Sequence, residues 1–301
     1  MISASTANSE SPQGHFGHQP VQLLGNEHKS EVLNFLSARP LHTFVMASWI
    51  ADNGMSSPLN RGNFYGYRDE SGQLDGVALI GHITLFETKS DSALAAFTDL
   101  TRTCPFAHTV LSEAETIRRF MRLNENGSRA PRRVCRELLL EKHVPESLNL
   151  VSSLRPATSA ELDLIVPVHA QLAFEESGVN PLAVDASGFR KRCARRIQQG
   201  RVWVAIENGR LKFKADVVSE TPDVVYLEGV YVSAEHRGNG YGARCLTQIT
   251  NHLLEQTKAV CILVNEVNSA AQKSYHKAGF RFREYYDTVF LNPQYEQGAP
   301  A

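Results

Sequence analysis

The residues best suited by type and spacing to do chemistry are Val230-Tyr231-Val232-Ser233-Ala234-Glu235-His236-Arg237-Gly238-Asn239-Gly240-Tyr241-Gly242-Ala243. A β-branched strand pattern enters, glycines turn the chain, and an apolar helical pattern leaves. Glycine admits positive φ and close backbone approach. The free N–H groups at the helix start then point into one concavity, where the helix dipole favours an anion. Phosphate is the natural guest, and three patterns compete for it. A Walker loop requires Gly-Lys followed by Ser or Thr, and the chain has no Gly-Lys pair. A dinucleotide fingerprint is met formally by Gly238, Gly240 and Ala243, with Glu266 as the ribose acid. That motif opens directly from a strand within a βαβ unit, whereas here the charged segment Ala234–Arg237 intervenes after hairpin-linked strands. The third pattern is Arg-x-x-Gly-x-Gly, carried by Arg237, Gly240 and Gly242.

A fixed order of elements must position this loop. Thr158-Ser159-Ala160-Glu161 resembles a capping box. Leu162, Ile165, Val166 and His169 follow at helical spacing, and a second helix covers about Ser187–Gln199 and stops at Gly200. Strands are expected at Val202–Ile206, Leu211–Ser219 and Val224–Ser233, the first two joined by the hairpin signal Asn208-Gly209. After the loop come a helix to about Gln256, a strand at Val260–Asn265, a helix at Ser269–Ala278 and a last strand or strand pair at Arg281–Leu291. The first half reads as mostly helical over 22–54, then strands at Asn63–Arg68 and Leu74–Thr88 around the turn Asp69-Glu70-Ser71-Gly72. Helices at Ser92–Arg102 and Ala114–Asn124 and a closing strand at Arg132–Lys142 complete it. Both halves go helical and then enter a strand–turn–strand unit, which suggests a tandem duplication. The expected division is a disordered tail at 1–19, a first domain at 20–148, a second at 149–295 and a tail at 296–301.

The Arg237–Gly242 pattern, in this order of elements, resembles the pyrophosphate loop of the GNAT superfamily of N-acetyltransferases. The later segment Asn265-Glu266-Val267-Asn268-Ser269-Ala270-Ala271-Gln272-Lys273-Ser274-Tyr275-His276-Lys277-Ala278-Gly279-Phe280 is similar to that family's second motif, an Asn before a helix that carries Tyr and ends in Gly-Phe. The resemblance implies an α/β fold, a mixed, mostly antiparallel sheet flanked by helices, with two such units in tandem. It implies acetyl-CoA as cosubstrate, lying between the strands at 224–233 and 260–265. The backbone of Val230, Tyr231 and Val232 would face its pantetheine arm. The N–H groups of Arg237, Gly238, Asn239, Gly240, Tyr241, Gly242 and Ala243 would cradle the pyrophosphate, and Asn268 would bond near the pantetheine. It places Tyr275 beside the sulfur as general acid; the alternative is a buried aromatic on an amphipathic helix.

The reaction implied is attack of a neutral amine on the thioester in a ternary complex. A lysine-like amine costs about 4–5 kcal/mol to deprotonate at pH 7, so a general base is useful. Glu228 is the candidate, a lone acid in the apolar strand 224–230, where burial is costly without a partner or water. By strict alternation it shares a face with Val230 and Val232. The alternative is a salt-bridged structural acid. The first half has Arg61-Gly62-Asn63 but no further glycines of the motif, so it is expected to lack cofactor binding. A reading of another class is a non-catalytic acyl-CoA sensor. The acceptor is a small-molecule or peptide amine that the residues do not name further.

Basic and acidic residues nearly cancel, 31 against 32, so no global field recruits nucleic acid or an anionic membrane. The basic run Arg190–Arg196 reads as a solvated helix face. Five cysteines without C-x-x-C or Cys/His spacing argue against a disulfide framework or a metal site and for a reducing, cytoplasmic setting. The apolar run Gly76–Phe86 is far short of the roughly 20 residues that span a bilayer.

Overall fold

The structure is a computed structural model that describes residues 20–125, 130–147 and 149–292. The tails expected at 1–19 and 296–301 lie outside the described residues. The first half consists of β1 (Val21–Leu23), α1 (Lys29–Leu36), α2 (Pro40–Asn53), β2 (Gly62–Arg68), β3 (Leu74–Gly81), β4 (Ile83–Thr88), α3 (Asp91–Thr103), β5 (Thr109–Glu113), α4 (Ala114–Leu123) and β6 (Pro131–Lys142). The second half repeats that order: β7 (Leu154–Pro156), α5 (Leu162–Ser177), α6 (Pro181–Gln198), β8 (Val202–Glu207), β9 (Arg210–Glu220), β10 (Val224–Val232), α7 (Tyr241–Leu253), β11 (Ala259–Asn265), α8 (Ser269–Lys277) and β12 (Arg281–Leu291).

Local chemistry explains most boundaries. Asn208 and Gly209 both take positive φ, 51° and 70°, as a tight hairpin between β8 and β9 requires. Glu161 accepts from the Thr158 backbone N–H at 2.5 Å, the reach-back half of a capping box before α5. The expected single strand Leu74–Thr88 is two strands, because the chain turns at Gly81-His82. A Cβ on Gly81 would lie 2.3 Å from the Arg61 carbonyl oxygen, so only glycine fits that corner. The expected helix over 22–54 is an edge strand and two helices, with Pro40 opening the second. Residues 281–291 form one strand with a bulge near Phe282, not a pair.

The twelve strands of the described residues form one sheet in the order β1-β2-β3-β4-β5-β12-β6-β11-β10-β9-β8-β7. The pairs β4–β5 and β10–β11 are parallel, and the other pairs are antiparallel. The last strands are exchanged. Strand β6 of the first half pairs with β11 of the second, and β12 of the second pairs with β5 of the first. The two exchanged strands also pair with each other over most of their length.

Helices α1, α2, α5 and α6 cover one face of the sheet, here the front, and α3, α4, α7 and α8 cover the back. The front core crosses the halves: Phe44 and Met46 of α2 pack with Val224 and Tyr226 of β10 and Cys261 of β11. The Phe44 and Tyr226 rings lie 4.9 Å apart. Burying each such side chain contributes about 1.5–3 kcal/mol, so α2 anchors the first half onto the second half's strands.

Candidate active site

Strands β10 and β11 are in register from Val224–Ala259 to Leu227–Ile262, and the pairing stops there. Burial changes at the same point. Residues 224–227 are buried, whereas 228–232 are only half-buried. The strands part because β10 bulges, with one extra residue between Glu228 and Tyr231 against β9. Gly229 sits in that bulge at φ 62°, and Lys214 Nζ donates to its carbonyl at 3.2 Å. Beyond the bulge, Ser233 N–H pairs back to Lys212 of β9. Alternation then turns the polar backbone groups of Val230 and Val232 towards the gap beside β11.

The glycine-rich loop follows. Gly238 and Gly240 both have φ 79° and open space where a Cβ would be. A Cβ on Gly242 would come within 2.9 Å of the Val232 side chain, so glycine lets α7 approach β10. Gly240 caps α7, and the Asn239 side chain accepts from Tyr241 N–H at 3.1 Å. Arg237 Nε donates to the Val232 carbonyl at 2.9 Å, which pins the loop to the end of β10. The remaining first-turn N–H groups of α7 have no partner within the helix and favour an anion. Parted strands, positive-φ glycines and an open helix start fit the nucleoside diphosphate and extended arm of a coenzyme A thioester. Asn268 has a structural duty as well. It caps α8 by accepting from Ala271 N–H at 3.1 Å, which leaves its amide hydrogens available.

Tyr275 and Glu228 flank the gap from opposite sides. Tyr275, on α8, belongs to the back core and packs its ring 6.2 Å from Phe280. Burial pushes its phenol well above the usual range, so it stays protonated at neutral pH. Among the described residues its hydroxyl has no hydrogen-bond partner. Strict alternation placed Glu228 with Val230 and Val232, and the structure corrects this. The bulge resets the phase, so Glu228 and Tyr231 oppose Asp216 and Lys214, whereas Val230 and Val232 pack against the back core.

On the front side Glu228 has company that sequence reasoning missed. Glu137 of β6 and Glu176 of α5 both feel its charge. Burial, and then these like charges, push Glu176 up. Burial pushes Glu137 up to about 7 despite the stabilising Thr288 hydroxyl. Glu176 is solvent-exposed and Glu137 is half-buried, so neither residue is sealed from water. The three do not converge closely enough to hold a metal ion; no such cluster occurs among the described residues. No local pattern in the sequence marks Glu137, because it arrives on the exchanged strand.

Beneath the bulge lies a buried ion cluster. Asp216, 1% exposed, forms ion pairs with Lys214 at 2.8 Å, Arg196 at 2.9 Å and His169 at 3.1 Å. Burial alone would raise its carboxyl, but Lys214, His169 and Arg196 outweigh burial and hold it far below the usual range. His169 and Arg196 lie on α5 and α6, so two of the residues spaced along those helices serve to clamp them to β9. The five cysteines are all free thiols. Burial pushes Cys245, on α7, up to about 12, which keeps it protonated and poorly nucleophilic.

The corresponding stretch of the first half is built differently. Only Lys89 and Ser90 separate β4 from α3. The Ser90 hydroxyl caps α3 by accepting from Ala93 N–H, and Asp91 puts a carboxylate in the first turn. A short loop and an anion already in place disfavour a phosphate at the start of α3. The β4 residue that occupies the position of Glu228 is Glu87, and Arg39 bridges it to Glu113 at 3.3 and 2.5 Å.

Residues 173–280 match the family described as Acetyltransferase (GNAT) family, and they contain the loop, the parted strands, Glu228 and Tyr275. No curated protein matches the chain. Among solved structures, a GNAT-family acetyltransferase from Colwellia psychrerythraea is 14% identical, with 90% of this chain and 98% of that one covered at a TM-score of 0.54. A Drosophila protein is 11% identical, with 91% and 99% covered at 0.66. A tandem GNAT protein from the clavulanic acid biosynthesis pathway is 13% identical, with 90% and 97% covered at 0.54. These likenesses span both halves and show a shared tandem fold. No described helix is long and apolar enough to cross a membrane.

Proposed function

We propose that the second half, a GNAT acetyltransferase domain, moves an acetyl group from acetyl-CoA to a primary amine by direct attack. The observation that carries this is the parting of β10 and β11 above a glycine-cradled helix start, with an acid on one side and carboxylates on the other. Val230, Val232 and the backbone of 237–243 would hold the thioester donor, which supplies an activated acetyl group. Glu228 takes the ammonium proton from the front side, with Glu137 and Glu176 as neighbouring proton acceptors. Tyr275 returns a proton to the departing thiolate from the back. The high thiol pKa of Cys245 supports direct transfer over a covalent acyl-enzyme. The acceptor enters a cleft lined by carboxylates, which favours a cationic amine.

The test combines calorimetric titration of CoA with thiol release from acetyl-CoA across an amine panel, for wild type and Tyr275→Phe. CoA binding equal in both proteins, with release cut about a hundred-fold in the variant, is the expected result. Failure of the wild type to bind CoA would overturn the proposal outright.

A further inference from the structure

A pocket of about 790 Å³ opens at the amino-terminal ends of β4 and β5, away from the end where their counterparts β10 and β11 part. Arg61, His82 and His108 line it, with Leu23 and Phe106 as apolar lining that is 60% and 71% exposed. The duplication supplies an internal comparison. At the equivalent place in the second half, a pocket of about 200 Å³ contains Arg201. Each arginine immediately precedes the first hairpin strand, and each carbonyl accepts from the far side of the hairpin, from His82 and Val217 respectively. Arg201 is fully paired, 3.0 Å from Asp52 and 3.4 Å from Glu220. Arg61 has no hydrogen bond or ion pair to its guanidinium among the described residues. The nearest acid on α6, Asp185, is occupied by Gly188 N–H and Arg192.

We propose that this pocket binds a small organic carboxylate, its charge on the Arg61 guanidinium and its apolar body against Phe106 and Leu23. The guanidinium fork matches a carboxylate in two hydrogen bonds, and the volume suits a drug-sized ligand. The other charges agree. Burial, and then Arg192, push Arg61 down from its usual range, the direction an incoming anion reverses. Burial, then Arg61 and His108, push His82 to about 4, so it is a neutral imidazole with one N–H to donate. Glu27, the acid of the lining, is turned to His28 at 3.2 Å.

The test is calorimetric titration of the full chain with octanoate, octanamide and inorganic phosphate. The variants are Arg61→Asn and Phe106→Ala. Arg61 has φ 52°, a conformation that asparagine tolerates better than arginine, so Arg61→Asn keeps the fold, checked by an unchanged melting temperature. Octanoate is expected to bind one per chain, and both Arg61→Asn and the amide to weaken binding about ten-fold or more. Phe106→Ala weakens octanoate as well, without changing the melting temperature, because that ring is exposed. Saturating CoA leaves octanoate affinity unchanged. Absent binding, equal affinity in Arg61→Asn, phosphate bound as tightly as octanoate, or displacement by CoA would each overturn the proposal.

Discussion

Replacing Asp216 with Asn removes the one carboxylate that holds Lys214, Arg196 and His169 together. Lys214 is fully buried and its nitrogen is 2.8 Å from the carboxylate. At an effective dielectric of about 20 such a pair attracts by roughly 6 kcal/mol. Most of that offsets desolvation, but deleting one partner leaves the other charge buried alone, which costs about 3–5 kcal/mol. For a chain of this length that lowers the melting temperature by about 6–10 °C. Lys214 also holds the Gly229 carbonyl, so the bulge loosens and CoA binds more weakly, although Asp216 touches no proposed ligand. The pH sign follows from the depressed carboxyl. Its contribution is present above the unfolded value, about 3.9, and is lost as pH falls towards the folded one. The gap between wild type and variant therefore holds at pH 7 and narrows below pH 4. Adding Lys214→Met to the variant should recover part of the loss, and the cycle should show coupling of about 1.5 kcal/mol or more. A variant that melts within about 2 °C of wild type at pH 7, with no coupling in the cycle, would refute this account of the bulge.

Glu228→Gln should lower the rate of thiol release on responsive amines about a hundred-fold or more, with CoA affinity intact; an unchanged rate transfers the base role to Glu137 or Glu176. Glu137→Gln should raise stability. The folded carboxyl is lifted to about 7 by burial, so the ionised form destabilises the fold progressively as pH climbs from about 4.3 to 7. Chemical denaturation at pH 5 and pH 8 should show the variant gaining on the order of 2 kcal/mol over wild type at the higher pH, after allowance for screening by water. Gly242→Ala forces α7 away from β10 and should cost about 1–3 kcal/mol of stability, with weaker CoA binding by calorimetry.

From α5 onward the second half's order of strands and helices was legible because glycine, asparagine and capping residues mark its turns, and because the Arg237–Gly242 pattern has a single sensible place between β10 and α7; the three-residue edge strand β7 before it passed unread. The short strand β5 passed unread: Thr109–Glu113 has five residues and no flanking turn signal. The face of Glu228 was misjudged because a bulge is one extra residue, and alternation read from sequence has no way to register it. Glu137 and Glu176 escaped for another reason. They meet Glu228 only through the strand exchange and the packing of α5, and no spacing along the chain encodes that meeting. The buried cluster around Asp216 was equally silent, since its members come from three elements.

The exchanged strands have a consequence for how such a chain arose and how it fails. A single repeat folding alone would leave its final strand without a partner and its fifth strand with an open edge. Two separate copies would satisfy each other by trading those strands, an isologous arrangement with self-complementary interfaces. Covalent linkage through residues 143–153 turns that association into an intramolecular one, independent of protein concentration. In the linked chain each half depends on the other, the first offering β5 to β12 and lending β6 to β11. A cut in the linker should therefore leave the fragments paired and folded, whereas either fragment made by itself should self-associate through the edges it was built to share.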